Sequence, residues 1–349
     1  MHGNREIEII EGLAKESRLD MAGLAVLLTT ENAETVKYLQ TQARAAADKI
    51  YGKEIYIRGL IEFTNFCRNN CYYCGIRRDN SNIERYRLLK EQILACCAYG
   101  YDIGMRTFVL QGGEDAFFTD WDICEIVSCI KKQYADCAVT LSIGEKSRES
   151  YQAYFDAGAD RYLLRHETAD REHYQKLHPI ELSLENRKRC LWDLKEIGFQ
   201  TGCGFMVGSP YQTIDTIWQD LQFICALQPQ MVGIGPFIPQ KDTPFGKYKA
   251  GTLDRTLRLL SIIRLLVPHV LLPATTALGT IHPSGREQGI LCGANVVMPN
   301  LSPTEVREKY KLYDNKIHAG AEAAEGLQNL AENMEHIGYQ IVVARGDFR

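Results

Sequence analysis

From residue 54 onward the sequence alternates short β-branched or apolar runs with longer amphipathic stretches, and this alternation constrains the fold more than any other feature. Strands are expected at 55–63, 107–110, 138–143, 161–164, 200–206, 231–234, 270–272 and 294–297. Helical periodicity fills the gaps at 90–100, 120–134, 150–157, 184–197, 213–227 and 254–266. Strands that each return through a helix lie parallel, so the expected class is α/β, with the sheet either closed as a barrel or left open. The count of eight candidate strands matches a barrel.

The flanks differ from this pattern. Residues 4–50 read as helices, with Ile7, Ile9, Ile10 and Leu13 in one apolar group and Leu24, Ala25, Leu27 and Leu28 in another. Asp20 and Asn32 are placed to cap the second and third helical segments. Beyond Asn300 the tail reads as helical, rich in Ala and Glu over 319–334, and ends in a short apolar run at 341–344. No repeat or low-complexity linker interrupts the chain, so one principal domain is expected.

Charge and hydropathy exclude several functions. Lys plus Arg is 40 and Asp plus Glu is 44, a net charge of −4, which lacks the basic field that nucleic-acid binding needs. The longest apolar stretch, 261–279, is interrupted by Arg264, Pro268, His269 and Pro273 and is not a membrane span. Arg5 and Glu6 stand where the apolar core of a signal peptide would begin, so a cytoplasmic protein is expected. In a reducing compartment its 12 cysteines are ligands, catalysts or core residues rather than disulfides.

Three of those cysteines, Cys67, Cys71 and Cys74, fall within eight residues directly after the first expected strand. Structural zinc and a closed electron-transfer cluster each take four protein ligands, and the next cysteines, Cys96 and Cys97, sit in a helical stretch. A triad with nothing to complete it leaves one metal position open to a substrate or cofactor. At the end of the next strand, Gln111-Gly112-Gly113-Glu114-Asp115 pairs glycines that admit a ligand near the backbone with a carboxylate that can accept from an ammonium; a structural turn would read the same. Arg165 and Glu167 share strand parity and can both face the interior, as an ion pair or as ligands of a bound group.

The C-x3-C-x2-C spacing with Tyr73 before the last cysteine resembles the radical S-adenosylmethionine (SAM) signature, and the Gly-Gly-Glu run resembles that superfamily's SAM-amine motif. Longer segments, 61–80, 110–115, 160–168, 231–239, 273–280 and 285–300, resemble the HydE family of FeFe-hydrogenase maturases, over roughly residues 50 to 315. The resemblance implies a (β/α)8 TIM-type barrel over 51–300, a helical cap over 1–50 and a helical extension closing the barrel over 301–349. It implies one 4Fe-4S cluster on Cys67, Cys71 and Cys74, which cleaves SAM reductively to a 5′-deoxyadenosyl radical. SAM contacts would come from Tyr73, Gln111, Gly112, Gly113, Glu114, Ser142, Arg165, Glu167, Arg187 and Met231. Thr140, Thr275, Thr276, Tyr310 and Tyr313 would line the substrate cavity. The implied substrate is an iron–cysteine complex carrying CO and cyanide. The implied partners are a low-potential donor of ferredoxin or flavodoxin type, a sister radical SAM enzyme and a GTPase scaffold, with no nucleic acid and no membrane.

One departure stands out. Some members hold a second cluster on three C-terminal cysteines, whereas here no cysteine follows Cys292, and His318, Ala319, Gly320 and Ala321 occupy the region of the first. No second cluster is expected. Of the remaining nine cysteines, seven or eight are expected in the core. Two motifs are decoys. His166-Glu167-Thr168-Ala169-Asp170 lacks the second histidine of a zinc protease, and the glycines of 202–208 miss the dinucleotide-loop spacing. Two rival readings remain. The same barrel could act on a small organic molecule, as in methylornithine synthase or a biotin-synthase-like enzyme, or the chain could be a metal or electron-transfer module without catalysis.

Overall fold

The computed structural model describes residues 2–318, 320 and 323–349, with the side chains of 2–4 left out. Three helices, α1 (His2–Glu16), α2 (Met21–Thr29) and α3 (Ala33–Tyr51), precede the first strand. The expected caps form: Asp20 accepts from Gly23 N–H, and Asn32 accepts from Glu34 and Thr35 N–H.

The first expected strand is two. β1 (Glu54–Ile57) and β2 (Gly59–Thr64) change partners at Arg58, because β1 lies between the last barrel stave and the C-terminus while β2 joins the main sheet. Then follow α4 (Lys90–Asp102), β3 (Thr107–Gly112), α5 (Asp120–Gln133), β4 (Ala138–Ser142), α6 (Arg148–Asp156) and β5 (Arg161–Leu163). The second half runs α7 (Arg171–Leu177), α8 (Leu184–Ile197), β6 (Gln200–Cys203), β7 (Met206–Val207), α9 (Ile214–Leu227), β8 (Met231–Val232), β9 (Gly235–Pro236) and α10 (Leu253–Leu266). The chain finishes with α11 (Thr276–Ile281), α12 (Gly285–Leu291), β10 (Val296–Val297), α13 (Thr304–Arg307), α14 (Leu327–His336) and β11 (Gln340–Val342).

The main sheet is parallel in the order β2-β3-β4-β5-β6-β8. It closes through single parallel bridges, Met231 to Leu271 and Pro273 to Val296, and through Tyr56 to Val296. Residues 270–273 are thus the seventh stave although no continuous ladder forms there, since Pro273 has no N–H to give. The result is a (β/α)8 barrel. α10 is buried at every position from Thr256 to Leu266, because α1 and α3 cover its outer face. The apolar stretch that begins there is therefore a covered barrel helix, and among the described residues no helix is long and apolar enough to cross a membrane.

The tail departs from the helix expected over 319–334. Ala319 and Ala321 lie outside the described residues, a 3-10 turn spans Ala324–Gly326, and α14 begins only at Leu327. The run expected at 341–344 is β11, which adds in parallel to β1 at the barrel floor. Beyond it Arg345 and Asp347 seal that floor: the fully buried Arg161 donates to the Arg345 carbonyl at 2.8 Å and to Asp347 Oδ1 at 2.7 Å.

Candidate active site

The three cysteines sit on the loop between β2 and α4, at the C-terminal mouth of the barrel. That loop is shaped by one guanidinium. Arg85 donates to the carbonyls of Ile76 (2.9 Å), Arg77 (2.6 Å) and Asn80 (3.1 Å) and to that of Asn65. Asn80 Nδ2 donates to the Gly75 carbonyl at 2.7 Å, and the buried Asn65 donates through Nδ2 to the carbonyls of Glu84 and Lys309. The C-terminal segment closes on the same loop, where Gly75 N–H donates to the Leu312 carbonyl at 2.8 Å. A Cβ on Gly75 would stand 1.8 Å from the Lys311 carbonyl, so this approach needs glycine.

Cys67, Cys71 and Cys74 are half-buried, unpaired thiols that line a single cavity of about 340 Å³. Burial pushes all three thiols up, Cys74 to about 12, with Cys67 and Cys74 raising Cys71 further and Cys67 raising Cys74. Binding metal would therefore displace protons from them. Among the described residues no three His, Cys, Asp or Glu side chains converge on one ion. A cubane would take three thiolates on three different irons, and residues 65–89 offer three thiols with no fourth Cys or His.

The glycine-carboxylate run packs directly against the start of the cysteine loop, where Arg68 N–H donates to the Glu114 carbonyl at 2.9 Å. Glu114 is buried; its Oε2 accepts from Arg68 Nε at 3.0 Å and its Oε1 from Glu145 N–H at 2.9 Å. Asp115 clasps Arg87 in two bonds of 2.6 and 2.9 Å and accepts from Thr64 Oγ1, which anchors the far end of the cysteine loop. A Cβ on Gly113 would fall 2.1 Å from the Phe66 carbonyl, so the bare backbone is what lets the two loops meet.

Beyond Glu114 lies a band of paired charges. Arg165 Nη2 stands 3.0 Å from Glu167 Oε2, and Arg187 Nε stands 2.6 Å from Glu145 Oε1. Burial pulls Arg187 down, but Glu145, Tyr174, Glu114 and Tyr73 together outweigh it and keep the guanidinium charged. Glu167 holds a φ of +64° at the end of β5, with its N–H bonded to the Gly204 carbonyl at 3.0 Å. Its neighbour His166 turns the other way into the core, with Nδ1 accepting from Gly204 N–H and Nε2 3.4 Å from Asp220. Burial drives His166 down to about 3 and Asp220 upward, so this is a close contact of uncharged groups in which Nε2 makes no hydrogen bond, and His166 and Glu167 are no zinc motif.

Cys67, Cys71, Cys74, Tyr73, Gln111, Gly112, Gly113, Glu114, Ser142, Arg165, Glu167, Arg187, Thr275, Thr276, Tyr310 and Tyr313 all line this one cavity. Two expected residues do not. Met231 starts β8 near the barrel floor, packed with Tyr51, Tyr56, Leu271 and Val296, its sulfur 2.9 Å from Arg58 Nη1. The methionines that reach the cavity are Met206 and Met298. Thr140 lies one inward step beneath Ser142 on β4, buried, with an unpartnered hydroxyl. Of the other nine cysteines six are buried in the core, Cys124 and Cys225 are half-buried and packed against it, and Cys129 is half-buried, in line with the seven or eight expected.

Several contributors carried no signal in the sequence. Glu62 on β2 and Lys316 in the tail form a buried ion pair inside the cavity, with Asn300 Nδ2 on the other Glu62 oxygen at 2.9 Å. His178 fixes Tyr73: its Nδ1 donates to the Tyr174 carbonyl (3.0 Å), leaving Nε2 to accept the Tyr73 hydroxyl at 3.1 Å. Thr275 presents a buried hydroxyl with no partner, a donor or acceptor waiting for a bound group.

Comparison with known proteins agrees with this geometry. The family model for the radical SAM superfamily matches residues 61–224. The [FeFe] hydrogenase maturase subunit HydE of Thermotoga maritima is 51% identical over 269 residues, covering 77% of this chain and 76% of that protein. A 3-methylornithine synthase of Methanosarcina acetivorans is 27% identical over 335 residues, covering 95% of this chain and 92% of that protein. The crystal structure of methylornithine synthase superposes with a TM-score of 0.85 at 24% identity, covering 96% of this chain and 97% of that one, a likeness of fold.

Proposed function

The chain belongs to the radical SAM superfamily and, within it, to the HydE family; from that premise we propose that it is the radical SAM enzyme acting on the two-iron part of the FeFe-hydrogenase cofactor. The observation that carries the reading is the convergence of three thiols, the Gly113–Glu114 run and the Arg165, Glu167 and Arg187 charges on one cavity. Cys67, Cys71 and Cys74 would hold one 4Fe-4S cluster, which when bound would supply the electron for reductive cleavage of SAM.

The residues of the chain do the binding and the excluding. Glu114, already fixed by Arg68 and a backbone N–H, accepts the methionyl ammonium. Arg165 takes the carboxylate, for which its planar fork suits a bidentate contact. Tyr73, held by His178, walls the adenosyl side. Tyr310, Tyr313 and Lys316 close the cavity from the tail and keep water from a reactive radical. Thr275 and Thr276 face the substrate, which on this reading is an iron–cysteine complex with CO and cyanide. Its maker and its acceptor are the sister maturases, and a low-potential carrier of ferredoxin or flavodoxin type delivers the electron. The reading has the enzyme work in the cytoplasm without a second cluster, since no cysteine follows Cys292.

Coverage of nearly the whole chain by methylornithine synthases favours a second reading, the same radical chemistry on a small amino acid. Anaerobic reconstitution with iron and sulfide, followed by SAM, dithionite and either an iron–cysteine CO/cyanide complex or a panel of small amino acids, separates them. About four irons per chain and 5′-deoxyadenosine formation stimulated by the iron complex, both lost in Cys71→Ala, support the first. Stimulation by one of the amino acids and not by the iron complex would transfer the enzyme to the second.

A further inference from the structure

Radical cleavage of SAM consumes an electron, and one face of the molecule is built to receive its carrier. The cysteine loop, 65–89, carries five arginines against only Asp79 and Glu84, in a chain whose net charge is −4. Segment 241–249 adds Lys241, Lys247 and Lys249 against Asp242. The two stretches are joined in space: Phe245 N–H donates to the Tyr72 carbonyl at 3.2 Å, and Asn82 Nδ2 donates to Asp242 Oδ1 at 2.8 Å. Positive charge is thus gathered where the cysteines lie, and the rest of the chain is correspondingly more negative.

Part of that charge is already engaged, since Arg68 and Arg78, 65% and 63% exposed, are ion-paired to Glu114 and Asp79. The cations turned outward to meet a partner are Lys241, Lys247 and Lys249, all exposed. Between them stands an open aromatic surface, Tyr211 and Tyr248, 49% and 40% exposed with their hydroxyls bonded to each other. Tyr248 packs on Phe245 (5.0 Å between ring centroids) and Phe245 on Tyr72 (6.1 Å), the residue that follows Cys71. A continuous packed path therefore runs from the exposed rings to the cysteine loop.

We propose that this basic and aromatic rim is the docking surface for an acidic one-electron carrier protein. The proposal rests on the radical SAM reading. In the step it serves, the carrier is oxidised by one electron, the cluster is reduced by one, and no atom or proton crosses the interface. Exposed cations steer an acidic partner and set its approach, while the rings provide the apolar centre of a transient contact.

The test compares two reductants on reconstituted enzyme: dithionite, which needs no docking, and a reduced flavodoxin of strongly negative charge. The variant is Lys241→Glu/Lys247→Glu/Lys249→Glu, three exposed positions of which none lines the cavity. The expected result is dithionite-driven SAM cleavage within twofold of wild type and flavodoxin-driven cleavage at least tenfold slower at low salt. That gap should narrow to a few-fold at about 0.5 M salt, as screening shortens the reach of the charges. In the unaltered enzyme, flavodoxin-driven cleavage should itself fall with added salt, which tests the surface without any substitution. Equal flavodoxin rates in variant and wild type, or a salt-independent wild-type rate, would overturn the docking surface and leave the enzyme reading intact. Failure of dithionite to drive SAM cleavage in wild type would overturn the reading and the docking surface together.

Discussion

A methyl group at Gly113 would lie 2.1 Å from the Phe66 carbonyl and 2.7 Å from Cys67 Cβ, so Gly113→Ala must push the cysteine loop off its seat. We expect reconstituted Gly113→Ala to hold less than half the wild-type iron, read by iron assay and the cluster's visible absorbance. Glu114→Gln keeps the shape and removes the charge. It should leave iron loading unchanged and raise the KM for SAM by roughly ten- to a hundredfold, the value of about 1.5–3 kcal/mol for a hydrogen bond to a charged group. These residues were legible because short spacing and strand parity place them: three thiols in eight residues, a carboxylate two positions past a strand end. Met231 was misread because parity tells which face of a strand a side chain takes but not its depth along the barrel axis, and the first residue of β8 lies near the floor. Glu62 and Lys316 were invisible for a different reason, since a pair separated by most of the chain leaves no local pattern.

At the scale of elements, the cysteine loop is the one without regular structure of its own, and Arg85 substitutes for it by collecting carbonyls that would otherwise go unpaired. Arg85→Ala should lower unfolding stability by about 2–3 kcal/mol in urea titrations, from half-buried carbonyls left without a donor. It should also slow cluster uptake while leaving barrel circular dichroism intact. The long helices and their caps followed from periodicity and the residues Asp20 and Asn32. The short helices α7, α11 and α12 escaped it, as six or seven residues hold fewer than two turns of pattern. The split of β1 from β2 escaped as well, because both halves are extended and apolar and only the partner changes.

The whole molecule is a barrel closed at both ends by its own C-terminal region, with residues 310–316 over the mouth and 345–347 under the floor. Burial pushes Asp347 up, but bonds from Arg345, Gln200 and Arg161 outweigh it and hold its carboxyl below the usual carboxylate range. A depressed folded pKa means that its stabilisation is complete above the unfolded value and is lost as pH falls through the folded one. Asp347→Asn should therefore melt below wild type at pH 7, by the equivalent of about 1–2 kcal/mol since the carboxylate is partly exposed. The two melting curves should converge as the solution is acidified below the carboxylate range; a gap that persists there would mean that packing, not charge, seals the floor. What the sequence determined by itself was set by local physics: a parallel α/β barrel from the alternation of apolar runs and helices, and a cluster-type chemistry from the spacing of three thiols. Tertiary structure alone decided the depth of Met231, the Glu62–Lys316 pair, the seventh stave held by single bridges and the sealing of the floor by the tail. Each depends on contacts between residues distant in the chain, and those are settled only when the barrel closes.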